Sequence, residues 1–124
     1  MIVGLGIDVV ALHRVERLWD RWGERIATRL LHPRELSLLP SAPARRVEWL
    51  AGRIAAKEAA SKALGVPPGI HWHHAEVTQA RPDPPTLRWH GVAAVRAEAL
   101  GVTRAMVSIT HDAGVAAAVV LLER

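Results

Sequence analysis

Two side chains of opposite charge, Glu58 and Lys62, stand four residues apart in the Ala-rich segment near the middle of the chain. Because residues i and i+4 share one face of a helix, the carboxylate and the ammonium would lie next to each other there. Ala51 and Ala55 fall on the same side, so this face stays low and accessible to a bulky partner. A routine helix-stabilising ion pair, worth about 0.3 kcal/mol, is the alternative interpretation.

A second carboxylate, Asp8, follows two glycines in an apolar stretch with strand-like alternation. In a strand, Gly4, Gly6 and Asp8 share one face, which leaves a surface that a ligand or another backbone can approach closely. Two carboxylates from different elements, with substrate phosphates and waters, are a usual ligand set for Mg²⁺. Asp8 and Glu58 are therefore candidate metal ligands. An Asp that caps a turn at the strand end is the structural alternative for Asp8.

The histidines offer two further groups. His111 and Asp112 precede an Ala-Gly pair, and turn chemistry accounts for Asp112 without any function. His111 has no turn role of its own, so it is the stronger candidate for a site. Elsewhere, His71, His73 and His74 form a cluster that no acidic residue joins, which makes a metal site there the weaker hypothesis.

Charge points to an acidic partner, since the formal net charge is +4 and the pI is near 11. Lys57 and Lys62 are the only lysines in an arginine-rich chain. Either these positions need a compact ammonium or a smaller side chain, or the choice of lysine is chance. Arginines also recur at helical spacing near the start of the chain. They form either a solvated face laced with ion pairs or a docking surface for an acidic helix. These arginines are Arg14, Arg17, Arg21, Arg25 and Arg29.

The elements that position these residues are predicted from hydrophobic periodicity and from Gly and Pro signals. A strand over residues 2–10 precedes an amphipathic helix over 12–31, which Pro33 ends. The Ala-rich helix is predicted over 45–64, with Ser41 as its N-cap and Gly65 as its stop. The remaining predictions are strands over 70–79 and 86–89 around a loop at 80–85, a helix over 91–100, and a hairpin of strands 105–110 and 115–122.

Helices and strands alternate without a regular βαβ rhythm, which favours the α+β class. The length of 124 residues fits one domain over residues 1–124. The chain has no cysteine, which excludes disulfides and thiolate zinc sites and suits a reducing compartment. The apolar start of the chain has no basic region before it and is too short to span a membrane. We therefore expect a cytoplasmic protein with no membrane contact.

Three segments together resemble the holo-[acyl-carrier-protein] synthase family, the small members of the 4′-phosphopantetheinyl transferases. They are GLGIDVV at residues 4–10, EWLAGRIAAKEAASKALG at 48–65 and VSITHD at 107–112. The central motif, GRxAAKEAxSKAxG, is long and specific, and the match runs from the first strand to the last. The resemblance implies an antiparallel sheet packed against a long central helix. It also implies an enzyme that moves 4′-phosphopantetheine from coenzyme A to a serine of apo acyl carrier protein, with Mg²⁺, releasing 3′,5′-ADP.

The same resemblance implies roles for single residues. Asp8 and Glu58 would bind Mg²⁺ together with the pyrophosphate of coenzyme A, and Lys62 would contact the phosphate under attack. His111 would lie at the coenzyme A end of the site. The general base stays open between Glu58, a metal-bound water and Asp112. Further coenzyme A contacts are implied for Arg45, Arg53 and Gly65.

The resemblance also implies partners. The acidic recognition helix of acyl carrier protein would dock on the basic side chains of Arg14, Arg17, Arg21 and Arg25. Members of the family are typically homotrimers, with active sites between neighbouring subunits.

The chain departs from the family pattern at a few positions. Ala11 stands where an acidic residue is common, and Asp83-Pro84-Pro85 replaces a Gly-Lys-Pro loop. The alternative functions are an inactive homologue or a non-enzymatic basic module that binds nucleic acid. The nucleic-acid hypothesis leaves Asp8, Glu58 and Lys62 without a role, and the sequence has no RNA-binding or DNA-reading motif. We therefore expect no nucleic-acid partner.

Overall fold

The structure, a computed structural model, describes residues 1–79 and 81–124. The α+β class predicted from the sequence is confirmed by the order of elements in those ranges. In chain order they are β1 (Ile2–Ala11), α1 (Leu12–Trp22), α2 (Glu24–Leu30), α3 (Pro33–Leu36), α4 (Pro43–Ala63), a 3₁₀ turn (Trp72–His74), β2 (Ala75–Thr78), β3 (Thr86–Trp89), α5 (Gly91–Ala99), β4 (Arg104–Asp112) and β5 (Val115–Glu123). No helix in the described ranges is both long enough and apolar enough to cross a membrane.

The main sheet contains three strands in the order β1-β5-β4, and both neighbouring pairs are antiparallel. A two-residue turn joins β4 to β5, and its residues Ala113 and Gly114 have φ values of +50° and +79°. Positive φ at both positions matches the twist of the strands in a tight hairpin. Asp112 stabilises the turn by accepting a hydrogen bond from the backbone N–H of Ala113 at 2.8 Å.

The hairpin loop is shorter than predicted, because His111 and Asp112 belong to β4. His111 lies opposite Ala116 of β5 in the ladder rather than in a loop. Its backbone therefore has the regular geometry of a paired strand, which positions the imidazole.

The main sheet lies against α4, and the contact between β1 and α4 is the closest part of this packing. A Cβ atom built on Gly6 would collide with the carbonyl oxygen of Ala59, and one on Gly4 would collide with the carbonyl oxygen of Ala63. The glycine face of β1 therefore packs directly against the backbone of α4. The sequence predicted that either a ligand or another backbone would approach this face, and the structure shows a backbone.

Small side chains on α4 make the same contact possible from the helix side. Its buried alanines place the helix backbone close to the sheet, and larger side chains fill the core around them. The fully buried large side chains include Leu50, Leu64, Val120 and Leu122. The alanines are Ala51, Ala55, Ala56, Ala59 and Ala60.

The prediction of one helix over residues 12–31 is wrong, because the helix breaks at Gly23. The backbone of Gly23 has a φ of +58°, and its N–H closes α1 by donating to the carbonyl of Trp19. Left-handed φ values end a helix and favour glycine. The prediction that Pro33 ends a helix is incomplete. Pro33 also begins the next helix, because it occupies the first turn of α3, and His32 is the N-cap of that helix.

Two other boundaries differ from the prediction. Helix α4 begins at Pro43 with Ala42 as its N-cap, so Ser41 lies outside the helix. Proline suits the first helical position because its missing N–H has no helical partner there. The strand predicted over residues 70–79 is in fact a 3₁₀ turn followed by β2. Ala80, within the predicted loop 80–85, lies outside the described residues.

The two-stranded sheet of β2 and β3 is anchored by a buried carboxylate, Glu76, which is 3% exposed. Arg34 donates two hydrogen bonds to it from Nε and Nη2, at 3.1 Å and 2.9 Å, and His90 Nε2 lies 2.8 Å from Oε1. These hydrogen bonds, above all those from Arg34, lower the pKa of Glu76 to about 2, although burial opposes the shift. Through Arg34 and His90, Glu76 of β2 thereby forms hydrogen bonds with α3 and with the start of α5.

Gly6→Ala tests the close approach of β1 to α4. The added methyl meets a backbone carbonyl that cannot rotate away, so we expect the free energy of unfolding to fall by about 3 kcal/mol. Gly114→Ala is the matched control, because a Cβ there meets nothing within 4 Å and costs only backbone strain, about 1 kcal/mol. Urea unfolding of both variants measures the difference. Equal losses would contradict the packing described here.

Glu76 predicts a specific pH dependence of stability. Its pKa falls from 4.5 in the unfolded chain to about 2 in the folded chain, so its contribution is complete above pH 4.5 and is lost as the pH falls towards 2. That contribution is about 3 kcal/mol at neutral pH. We expect Glu76→Gln to be less stable at pH 7 and to lose less further stability between pH 5 and pH 2. Glu98→Gln on the exposed face of α5 is the control, and equal acid sensitivity of the wild type and Glu76→Gln would refute the assignment.

Candidate active site

Asp8 and Lys62 meet where β1 lies against α4. Lys62 Nζ is 3.1 Å from Asp8 Oδ1 and donates a hydrogen bond to the carbonyl of Ile7 at 2.9 Å. The side chain of Lys62 is half exposed and that of Asp8 is one-fifth exposed. Both groups are therefore held by the fold and still open to a ligand.

Glu58 lies one helical turn before Lys62 and lines a cavity of about 380 Å³. Helix α4 contributes Lys57, Glu58 and Ser61 to its wall, and Arg29 of α2 completes the opposite side. The segment that runs into β2 closes the cavity with Ile70, His71, Trp72 and Ala75. Glu58, Arg29 and Ser61 thus bring a carboxylate, a guanidinium and a hydroxyl to a space large enough for part of a substrate.

A second cavity, of about 270 Å³, brings together three of the residues predicted to bind coenzyme A. Arg45 and Arg53 reach it from α4 and His111 reaches it from the end of β4. Glu48 lies 3.8 Å from His111 across the same cavity, and both side chains are exposed. The remaining wall includes Trp49, Gly52, Gln79, Arg81, Pro85 and Ile109. Its excess of positive charge suits an anionic group such as a phosphate.

A buried ion cluster lies behind these two cavities. Glu35 of α3, which is 1% exposed, accepts a hydrogen bond from Lys57 Nζ at 2.6 Å and lies 3.4 Å from Arg53 Nε. Lys57 also donates to the carbonyls of Trp72 and Ala75, which uses all three of its N–H donors. The compact ammonium predicted at this position thus has a structural role.

Arg53 is held differently. Its guanidinium stacks on the ring of Trp49 at 3.9 Å, and burial lowers its pKa to about 10 while Glu35 opposes the shift. Among the described residues, its Nε and Nη2 atoms are buried without a hydrogen-bond partner, and so is Oε2 of Glu35. A buried donor without a partner is uncommon in a native protein and indicates a place for a ligand.

Gly65 ends α4 with a φ of +80°, and the N–H of Val66 closes the helix by donating to the carbonyl of Ser61 at 2.8 Å. A left-handed residue after the last turn is the usual stop of a helix, so glycine is required here by the backbone alone. It follows Lys62 by three residues, and neither of the two cavities includes it.

The predicted arginine stripe extends over two helices because of the break at Gly23. Its members remain exposed, and Arg21 and Arg25 lie on either side of the exposed Trp22, 5.0 Å and 5.1 Å from the ring centre. Arg29 lines both the groove beside Trp22 and the Glu58 cavity. The basic surface therefore leads towards Glu58.

The histidine cluster has a structural explanation. His74 Nδ1 accepts a hydrogen bond from the N–H of His71, and His73 Nε2 lies 2.9 Å from the carbonyl of Thr28. Both contacts fix the 3₁₀ turn.

A different set, His32, Glu76 and His90, places three possible ligand atoms within 4.8 Å of one another. The carboxylate of Glu76 is already neutralised by Arg34, and His32 Nδ1 accepts the N–H of Arg34 as a helix cap. These contacts account for the set without a metal.

The sequence profile of the 4′-phosphopantetheinyl transferase superfamily matches residues 4–120. The chain belongs to this superfamily. It is 50% identical, over 99% of each chain, to the holo-[acyl-carrier-protein] synthase of Nitratidesulfovibrio vulgaris strain DP4. The structure of the Neisseria meningitidis holo-[acyl-carrier-protein] synthase matches all of both chains with a TM-score of 0.87 at 32% identity. That of Helicobacter pylori, in complex with coenzyme A, has a TM-score of 0.81 at 29% identity and covers 96% of this chain and 99% of its own.

The family predicted from three short segments is thus confirmed, and with it the enzyme class. Within this transferase fold, the structure brings Asp8 next to Lys62 and gathers Arg45, Arg53 and His111 at one cavity. Glu58 lines a different cavity from His111. The sequence prediction missed Glu35 and Glu76. The signal for Glu35 was Lys57, one of two lysines in an arginine-rich chain, and no comparable signal pointed to Glu76.

Proposed function

We propose that this chain is a Mg²⁺-dependent enzyme that transfers 4′-phosphopantetheine from coenzyme A to a serine of an apo acyl carrier protein. The observation that carries the proposal is the contact of Asp8 with Lys62, one helical turn from Glu58, in a chain of this family. The Helicobacter pylori relative was solved with coenzyme A bound, which supports the same substrate here. A chain without cysteines suits the reducing cytoplasm, where we place the reaction.

The reaction exchanges a phosphoanhydride bond for a phosphate ester bond. The serine oxygen of the carrier forms a bond to the phosphorus that bears the pantetheine, and the bond from that phosphorus to the bridging oxygen breaks. The leaving group is 3′,5′-ADP, and the serine proton passes to a base. Positioning and charge neutralisation supply most of the acceleration in such transfers.

The residues around β1 and α4 fit a Mg²⁺ ion. Asp8 already attracts a cation, the ammonium of Lys62, and Glu58 adds a carboxylate from a second element. Mg²⁺ prefers one or two carboxylates together with substrate phosphates. A bound ion would neutralise charge on the pyrophosphate. Lys62 would remain nearby to contact the phosphate under attack.

Glu58 is the carboxylate that we assign as proton acceptor for the serine. It lines a cavity that a serine side chain can enter, whereas Asp112 is occupied in the hairpin turn by the N–H of Ala113. Of the two carboxylates among the alternatives left open by the sequence, Glu58 therefore has the stronger geometric support, and a metal-bound water remains the third alternative.

The cavity of Arg45, Arg53 and His111 would bind an anionic part of coenzyme A. The guanidinium of the buried Arg53 has N–H donors without a hydrogen-bond partner in the described residues, and a phosphate oxygen is a suitable acceptor for them. We place Gly65 near the ligand on its family position alone, since its φ already explains the glycine.

The carrier would dock through its acidic helix on the exposed side chains of Arg14, Arg17, Arg21 and Arg25. Opposite charges steer such encounters and fix their orientation. Because Arg29 connects this surface with the Glu58 cavity, a docked carrier would present its serine close to Glu58.

A homotrimer would complete the site. The outer face of the main sheet exposes Leu5, Ile7 and Val9 of β1 beside Val119 of β5, and an apolar patch of this kind marks an interface. The Glu58 cavity and the His111 cavity would then come from neighbouring copies. Sedimentation equilibrium distinguishes a trimer from a 13.5 kDa monomer, and a monomer at the concentrations used for catalysis would refute the shared site.

The test of the reaction is the intact mass of an apo acyl carrier protein after incubation with the enzyme, coenzyme A and Mg²⁺. We expect a gain of one phosphopantetheine, which EDTA abolishes and which Asp8→Asn and Glu58→Gln each reduce by about 100-fold. Glu98→Gln on α5 is the control and should retain full activity.

Two results would contradict the proposal at different points. Transfer that persists in EDTA would refute the metal assignment alone. A folded enzyme that modifies none of several apo carriers would refute the reaction.

A further inference from the structure

The ion cluster around Glu35 contains one wall residue of the Glu58 cavity and one wall residue of the His111 cavity. Lys57 belongs to the wall of the Glu58 cavity and Arg53 to the wall of the His111 cavity. Both side chains rise from α4 one helical turn apart and are nearly inaccessible to water. Both converge on the same carboxylate, that of Glu35.

We propose that Glu35 is a positioning residue for the transfer reaction, because one buried carboxylate sets Lys57 at the Glu58 cavity and Arg53 at the His111 cavity, which in the proposed trimer belong to two neighbouring sites. Glu35 is 1% exposed, so it contacts no substrate and acts only through these two partners. The proposal rests on the proposed function, in which the His111 cavity binds coenzyme A and the Glu58 cavity receives the carrier serine.

The contact with Lys57 fixes the wall of the Glu58 cavity. Its Nζ lies 2.6 Å from Glu35 Oε1 and donates to the carbonyls of Trp72 and Ala75, two other residues of that wall. The ammonium thus holds the segment before β2 against α4. Without Glu35, a buried cation would lose its only anionic neighbour within hydrogen-bond distance among the described residues, and the segment would move.

The contact with Arg53 sets the donor at the other cavity. The guanidinium stacks on the ring of Trp49, and its Nε forms an ion pair with Glu35 Oε2 at 3.4 Å without a hydrogen bond. In the described ranges, both Nε and Nη2 of Arg53 lack a hydrogen-bond partner. A guanidinium held from two sides presents its free N–H groups in one orientation. Glu35 therefore preorganises the Arg53 guanidinium for binding an anion.

This arrangement predicts that the two partners affect different kinetic constants. Arg53 faces the proposed coenzyme A cavity, so losing its anchor raises KM for coenzyme A. Lys57 shapes the Glu58 cavity, so losing its anchor lowers kcat. Glu35→Gln removes both anchors, and we expect KM for coenzyme A to rise and kcat to fall, each by about tenfold. Lys57→Met alone should lower kcat and leave KM for coenzyme A near the wild-type value.

Glu76→Gln is the matched control. It is the same substitution at an equally buried carboxylate with its own arginine and histidine partners, but those partners lie outside both cavities. Both variants should unfold more easily than the wild type. Only Glu35→Gln should change the kinetic constants, which separates positioning from general loss of stability.

Glu35→Gln leaves two buried cations, Lys57 and Arg53, without their carboxylate. The double variant Glu35→Gln/Lys57→Met removes the Glu35–Lys57 pair as a unit and leaves the guanidinium of Arg53, stacked on Trp49, as the one remaining cation of the cluster. Replacing a buried ion pair as a unit is often close to neutral for stability. We expect this variant to fold and still to show a raised KM for coenzyme A, because Arg53 has lost its anchor.

The kinetic experiment is steady-state transfer to an apo acyl carrier protein, with thermal unfolding of each variant measured in parallel. Wild-type constants in Glu35→Gln, or a wild-type KM in the folded double variant, would overturn the positioning role. An inactive wild type would instead contradict the proposed function, so the two failures are distinguishable.

Discussion

The structure depends on one steric constraint, the contact between the backbone of β1 and the backbone of α4. Two glycines on the strand and a run of alanines on the helix remove every side chain that would separate them. Because the backbones touch, a carboxylate within the strand comes within 3.1 Å of an ammonium on the helix. Larger residues at these positions would keep the fold class and lose the site.

Helix α4 uses its two lysines in opposite ways. Lys62 is half exposed and its partner Asp8 is still accessible, so the pair can exchange its contacts when a ligand arrives. Lys57 is buried, its three donors are used, and burial lowers its pKa against the effect of Glu35. One lysine is thus available to a phosphate, and the other holds the wall behind it. Arginine would serve neither position equally well, because its planar fork cannot replace a compact ammonium with three donors.

Much of the fold could be predicted from the sequence where periodicity and small residues agree. The first strand, the Ala-rich helix and the strand at residues 86–89 follow such patterns. The break at Gly23 could not be predicted, because an isolated glycine within a helical pattern is often tolerated. Ser41 has the chemistry of an N-cap, but Pro43 determines where α4 begins.

The site was predictable only in part. Motif spacing indicated Asp8, Glu58 and Lys62, and the structure places Asp8 and Lys62 in contact. Glu35 and Glu76 escaped prediction because their partners are distant in sequence, such as Lys57 at 22 residues from Glu35. Contacts of this kind arise from tertiary packing, which no local pattern encodes.

The most direct test of this account is the position of a divalent cation. Crystals grown with coenzyme A and Mn²⁺ in place of Mg²⁺ give an anomalous peak at the metal. We predict a peak that both Asp8 and Glu58 ligate, at the place where β1 meets α4 and next to Lys62. A peak that excludes either carboxylate, or one at His32, Glu76 and His90 instead, would contradict the account.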